Sequence, residues 1–235
     1  MSTLVLDEPT TTRTRRDVRG FWRIALAVIA PLPLLGMGLS YAIAPYGGDD
    51  PFAATVEAMR AHHGQALAAM LLGLPFLLFL IPATATLAWV TRRRTPLLTT
   101  VGACLTVPAF FAAFALLPAD SDVQWAVAND TTLDGTAIAK LDDALWATPV
   151  AGVAIILFLV AITIGLPVLG VALWRSRVAP VWMAVCLIAG TATHIFIPDH
   201  VAKGVGLLVG AVGFLGVTRA LLRTPDDEFD LPPAA

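Results

Sequence analysis

Charged residues are scarce in this sequence, and none lies near the middle of its long apolar stretches. Only 14% of the residues are charged while 57% are apolar, and the mean hydropathy is +0.79. A water-soluble domain of this composition would expose much apolar surface, so a soluble globular fold is excluded. Proton relays and ion pathways usually keep an ionisable residue inside a helix bundle. The uncharged stretches therefore argue against an ion-coupled transporter.

Cysteine is nearly absent, and so are the short signatures of common enzymes. The two cysteines, Cys104 and Cys186, lie in separate apolar stretches and form no CxxC pair, which argues against redox chemistry. Ser40 and Ser121 have no GxSxG context, and no HExxH motif occurs. The cysteines and serines thus offer no residue for a catalytic role.

What the chain does contain is a series of six long apolar stretches. A helix needs roughly 20 residues to cross a hydrocarbon core of about 30 Å, and the stretches approach or exceed that length. Backbone groups in lipid must be bonded within the segment, which favours helices. We therefore predict an all-α fold, a polytopic transmembrane bundle of six spans, at residues 24–44, 66–90, 97–117, 147–174, 179–197 and 201–222.

Basic residues fall mostly in alternate loops between these stretches. Twelve arginines belong to one set of segments, and only Arg60, Lys140 and Lys203 belong to the other. Because Arg and Lys near span ends stay on the cytoplasmic side, both termini are predicted to be cytoplasmic. The twelve are Arg13, Arg15, Arg16, Arg19, Arg23, Arg92, Arg93, Arg94, Arg175, Arg177, Arg219 and Arg223.

The same reasoning divides the chain into three parts. We predict a disordered cytoplasmic tail over residues 1–21, a six-span transmembrane domain over 22–223, and an acidic cytoplasmic tail over 224–235. The Thr-rich start and the acidic finish have little apolar surface to bury, so both ends are expected to be unstructured. The expected location is the plasma membrane of a bacterium, with the lipid bilayer as partner and no nucleic acid.

Prolines and a loop pattern add local predictions. Prolines at positions 31, 33, 75, 82, 108 and 167 lie inside the predicted spans, where they remove backbone donors and bend helices. In the outer loop, Ile138, Leu141, Leu145 and Trp146 recur at helical spacing. We expect this loop to form an interfacial helix that continues into the fourth span.

The sixth span is rich in glycine. Gly206 and Gly210 have the small-xxx-small spacing that lets helix backbones approach closely in lipid. This smooth face predicts helix packing, either within the chain or against a second copy or another membrane protein. The further glycines of the span are Gly204, Gly213 and Gly216.

Several hydroxyl side chains lie within the spans and are candidate polar contacts for a solute pathway. Threonines in spans more often bond the backbone of their own helix, so two interpretations stay open. The candidates are Ser40, Tyr41, Thr84, Thr86, Thr99, Thr100, Thr106 and Thr163.

All four histidines, His62, His63, His194 and His200, belong to the predicted outer side, together with Asp199. Neutral imidazole and carboxylate are ligands of zinc and related metals, and imidazoles on facing helices can hold haem. The spacing gives no helical i, i+4 pair. We retain a candidate metal or haem site formed by His63, His194, Asp199 and His200.

Two functions are compatible with these patterns. The first is a non-enzymatic membrane protein without a cofactor, either a small permease-like protein or an accessory subunit that associates through the glycine-rich sixth span. A hydroxyl-lined central cavity would favour passage of a solute, and a solid bundle would favour an accessory role. The alternative is an outer-face protein, enzymatic or non-enzymatic, that binds a divalent metal or haem through His63, His194, Asp199 and His200.

Overall fold

The structure is a computed structural model, and it describes residues 17–48, 50–117, 120–192, 196–197 and 199–229. All regular secondary structure in these ranges is helical, as predicted. Eleven α-helices precede one short C-terminal helix, and a π-helical turn, Ala161–Gly165, joins α8 to α9. The helices are α1 Arg19–Ile29, α2 Leu32–Ile43, α3 Phe52–Ala61, α4 His63–Thr91, α5 Pro96–Leu116, α6 Asp120–Asn129, α7 Gly135–Trp146, α8 Pro149–Val160, α9 Leu166–Ser176, α10 Val181–Ala192, α11 His200–Arg223 and α12 Asp226–Phe229.

Five helical segments within the described ranges are long and apolar enough to cross a membrane. They are formed by α1 with α2, by α4, by α5 with α6, by α8 with the π turn and α9, and by α11. Five of the six predicted spans therefore coincide with candidates by length and composition. The predicted span 179–197 contains α10, which has only 12 residues and is too short by itself. Residues 193–195 lie outside the described ranges, so this span stays a prediction.

Prolines interrupt two of the segments and are accommodated within two others. The regular α-helix is interrupted at two turn residues, Ala30 and Pro31, between α1 and α2. The π turn ends just before Pro167, which has no N–H to donate to the carbonyl of Thr163. In contrast, α4 continues through Pro75 and Pro82, and α5 continues through Pro108.

The apolar segments form a closed ring in chain order. From α2 onward each packs on the next, through α4, α5, α9, α10 and α11, and α11 packs back on α2. Direct contacts of α4 with α9 and with α11 cross this ring. Fully buried side chains, including Leu34, Leu80, Leu166, Leu187 and Phe214, fill the space between the helices. Many large apolar side chains on the outer surface of the bundle are exposed, as expected of helices that face lipid.

Close backbone approach fixes the contact between α10 and α11. A Cβ at Gly190 would collide with the backbone nitrogen of Gly210 and the carbonyl oxygen of Gly206. Since these are backbone atoms, a side chain at position 190 would have to separate the two helices. The small-xxx-small pair of the sixth span is thus used inside the chain.

Short helices cover the end of the bundle at which α4 begins. Helix α3 packs on α6 and α7, and Arg60 donates to the carbonyl oxygens of Val127 (2.8 Å) and Ala128 (3.3 Å) near the end of α6. The predicted helix in the outer loop is confirmed as α7, but its continuation into the fourth span is wrong. Thr148 accepts a bond from the N–H of Ala151 and caps a new helix, α8, that starts at Pro149.

Candidate functional site

The arginine-rich segments meet at one end of the bundle. Nη1 of Arg94, which follows α4, donates to the carbonyl oxygen of Ser176 at the end of α9 (2.9 Å). Arg23 in α1 donates to the carbonyl oxygen of Thr224, which follows α11. Four segments that sequence analysis assigned to one side thus lie together in space, and we call this the arginine end.

A cleft of about 380 Å³ opens at the arginine end. Its wall comes from residues 89–94, 177–178 and 220–228, which belong to three separate parts of the chain. We call it the arginine cleft because its lining contains Arg92, Arg93, Arg94, Arg177 and Arg223. Glu228 is the only carboxylate in that lining. In the sequence, these arginines indicate only which ends of the spans face the cytoplasm.

Arg92, a member of the cleft, makes two contacts with Trp89 that hold its guanidinium in place. Its guanidinium lies over the ring of Trp89, 4.0 Å from the ring centroid, and donates to the carbonyl oxygen of the same residue. Burial lowers the pKa of Arg92 from its ordinary value, and the adjacent charge of Arg93 lowers it further. The repulsion between the guanidinium groups of Arg92 and Arg93 would be relieved by an anion bound in the cleft.

Those predicted outer residues that the structure describes lie at the opposite end of the bundle, and two histidines pack on aromatic rings there. The ring centroids of His200 and Tyr41 are 4.2 Å apart, and Nδ1 of His200 accepts a hydrogen bond from the N–H of Gly48 (3.2 Å). The rings of His63 and Trp125 lie 4.6 Å apart. His63 and His200 thus each have an aromatic neighbour on another segment, which the sequence spacing did not indicate.

Asp199 has a local structural role at the same end. It is the N-cap of α11, and its carboxylate accepts a hydrogen bond from the N–H of Ala202 (2.7 Å). His194 lies outside the described residues. Within the described ranges no three His, Cys, Asp or Glu side chains are grouped as metal ligands would be. The four-residue metal or haem site therefore stays a prediction.

No family model, curated protein or solved structure matches this chain.

Three of the eight span hydroxyls bond the backbone of their own helix. Thr86, Thr106 and Thr163 each donate to the carbonyl oxygen four residues earlier. The hydroxyl of Thr99 bonds that of Thr91 (2.9 Å), next to the turn that carries Arg92. Thr84 differs, because its hydroxyl is buried without a hydrogen-bond partner in the structure. None of these hydroxyls lines the arginine cleft, and a second cavity, which shares Trp89 with the cleft, is lined by one of them, Thr86.

The glycine-rich face of α11 is covered by helices of the same chain. A Cβ at Gly204 would lie 2.9 Å from the carbonyl oxygen of Gly38 in α2, and a Cβ at Gly213 would collide with Leu187 in α10. The side of α11 that remains accessible carries Val201, Val205 and Val209. A partner that approaches α11 would therefore meet valines rather than glycines.

Proposed function

We propose that this chain is a six-span protein of a bacterial plasma membrane, with both termini in the cytoplasm, and that it acts as a non-enzymatic accessory subunit. Several apolar helices of membrane length support the membrane location. The convergence of the arginine-rich segments supports the orientation, because segments retained on one side of a membrane must share one end of the bundle.

The observation that carries the accessory role is the filled interior. Contacts between α4 and both α9 and α11 cross the ring of helices, and the buried threonines Thr86 and Thr106 bond their own backbones. A permease needs a lined path through the bundle. The packing of the described spans instead resembles a rigid unit whose exposed surface is available for assembly.

Assembly is proposed to use α11, through its accessible valine face rather than its glycines. Val205 is 52% exposed and lies about one turn from the start of the helix. A second copy or another membrane protein would gain contact area at this face without disturbing the contacts of Gly204 and Gly213 with α2 and α10.

The orientation is tested by labelling introduced cysteines in intact cells. In a background with Cys104→Ala and Cys186→Ala, Arg93→Cys and Asp130→Cys are treated with a reagent that does not cross the membrane. We expect labelling at position 130 before lysis and at position 93 only after lysis. Labelling of both positions from the same side would overturn the topology.

The role is tested by cross-linking and by solute flux. Val205→Cys is expected to form a disulfide-linked species in native membranes, whereas Leu67→Cys, a comparably exposed position near the start of α4, serves as the control. Purified protein in liposomes is expected to leave glycerol and urea uptake at the protein-free rate. Equal cross-linking at both positions, or faster uptake, would contradict an accessory role.

A further inference from the structure

The arginine cleft has an excess of positive charge that the one carboxylate in its lining does not neutralise. Its five arginines face a single carboxylate, that of Glu228, and none of the five forms an ion pair with an acidic side chain within the described ranges. Among the acidic residues nearby, Asp226 pairs with Arg23 and Asp17 pairs with Arg19, while Asp227 does not line the cleft. The electrostatic partner of the cleft is therefore not supplied by these residues.

The arrangement of the guanidinium groups favours a phosphate over a single carboxylate. Guanidinium forks bind phosphate oxygens in pairs, and several forks can share the three or four oxygens of one phosphate. Two of the five are already held by backbone carbonyls, Arg92 at Trp89 and Arg94 at Ser176. Less side-chain entropy is lost when such groups bind a ligand. The volume of about 380 Å³ accommodates a phosphate with its adjoining alcohol.

The surroundings of the cleft favour a lipid as the source of that phosphate. The cleft lies at the ends of α4, α9 and α11, where lipid headgroups meet the protein, and Val90, Val178 and Ala220 contribute apolar walls. A second cavity of about 260 Å³, lined by apolar side chains such as Leu26, Pro82 and Ala85, is bounded by the same Trp89. Basic pockets between spans on the cytoplasmic side suit anionic headgroups.

We propose that the arginine cleft binds the phosphate group of an anionic phospholipid of the cytoplasmic leaflet. The proposal rests on the orientation given under the proposed function, because that orientation places the cleft at this leaflet. Binding itself is measured in detergent and does not depend on orientation. Failure of the topology and failure of the binding site are thus distinguishable.

The test compares lipid binding to the purified full chain in a non-ionic detergent by native mass spectrometry. Phosphatidylglycerol is compared with phosphatidylcholine of the same acyl chains, and glycerol 3-phosphate and inorganic phosphate are added as soluble competitors. The cleft variant is Arg93→Gln with Arg223→Gln. The matched control is Arg175→Gln with Arg219→Gln, which removes two exposed arginines of the same end that do not line the cleft.

The wild type is expected to prefer phosphatidylglycerol, and the cleft variant to bind it roughly tenfold or more weakly, since each arginine near a headgroup contributes about tenfold or somewhat less. The control is expected to stay within about twofold of the wild type, because its charges lie outside the cleft. Glu228→Gln removes the opposing carboxylate and is expected to tighten binding about fivefold. This gain cannot result from misfolding.

Four results would overturn the proposal. Equal loss in the cleft variant and the control would show a diffuse attraction to the arginine end instead of a site. Displacement of phosphatidylglycerol by glycerol 3-phosphate or inorganic phosphate at comparable concentration would show a site for soluble phosphates. Equal retention of the two lipids by the wild type, or no gain in Glu228→Gln, would show that the cleft charge does not select the headgroup.

Discussion

Oδ1 of Asp226 lies 3.2 Å from Nε of Arg23, and this ion pair joins the start of the first apolar segment to the helix that follows the last one. Arg19 reinforces the junction by donating to the carbonyl oxygen of Asp226 (3.3 Å). Phe229, at the end of α12, is buried with its ring 5.0 Å from that of Trp89. The acidic C-terminal segment is thus docked against the arginine end over residues 226–229, in contrast to the unstructured tail expected from composition.

The first prediction concerns this docked segment. Phe229→Ala should release α12 more than Asp226→Asn, because burial of a phenyl ring contributes about 1.5–3 kcal/mol, whereas a partly exposed ion pair contributes about 0–1 kcal/mol. Hydrogen exchange of residues 224–229 should be faster by about tenfold or more in Phe229→Ala. Asp227→Asn is the control for charge on the same helix. Equal exchange in Phe229→Ala and the wild type would show that the ring does not hold the segment.

The second prediction concerns helix spacing. Gly190→Ala should destabilise the bundle by about 1–3 kcal/mol, because the added methyl group meets backbone atoms of Gly206 and Gly210 that have no room to move. Gly152→Ala is the matched control in α8, where no atom lies within 4 Å of the added Cβ. Thermal unfolding in detergent should show a lower midpoint only for Gly190→Ala. A fall of similar size in the control would indicate a general intolerance of alanine.

The third prediction separates two roles of Asp199. If this residue acts only as the N-cap of α11, Asp199→Asn should keep the stability of the wild type, and Asp199→Ala should lose about 1 kcal/mol. A metal ligand would behave differently, because an amide is a far weaker ligand than a carboxylate. Elemental analysis and absorption spectra of the wild type, Asp199→Asn and His194→Ala therefore accompany the unfolding curves. Bound metal or haem that disappears in both variants would establish the outer-face alternative.

The fourth prediction concerns the pH dependence of the N-terminal ion pair. Hydrogen bonds from the side chain and the N–H of Arg19 lower the pKa of Asp17 from 3.8 to about 2. Because the folded pKa is depressed, the stabilising contribution of the pair is complete above pH 3.8 and is lost as the pH falls through about 2. Carboxyl carbon chemical shifts should show this midpoint, and Arg19→Gln should return it towards 3.8. An unchanged midpoint in Arg19→Gln would exclude the pair as the cause.

The long helices could be predicted from sequence because the signal is local. Length and hydropathy of a stretch such as residues 66–90 are read without reference to the rest of the chain, and α4 coincides with it. The α7 helix was likewise visible in its apolar spacing, whereas its separation from α8 depended on a two-residue break before Pro149. Boundaries depend on caps, which give a weaker signal than hydropathy.

By itself, the sequence determined that the chain is helical and apolar, and that its arginines are concentrated in alternate loops, because composition and order along the chain carry those properties. Only the tertiary structure decided that Arg92, Arg177 and Arg223 share one cleft, that Gly190 meets Gly206 and Gly210, and that His200 stacks on Tyr41. Such contacts depend on how each helix is rotated and crossed against its neighbours. Hydropathy is nearly uniform around the long helices α4 and α11, so it does not indicate how these helices are rotated.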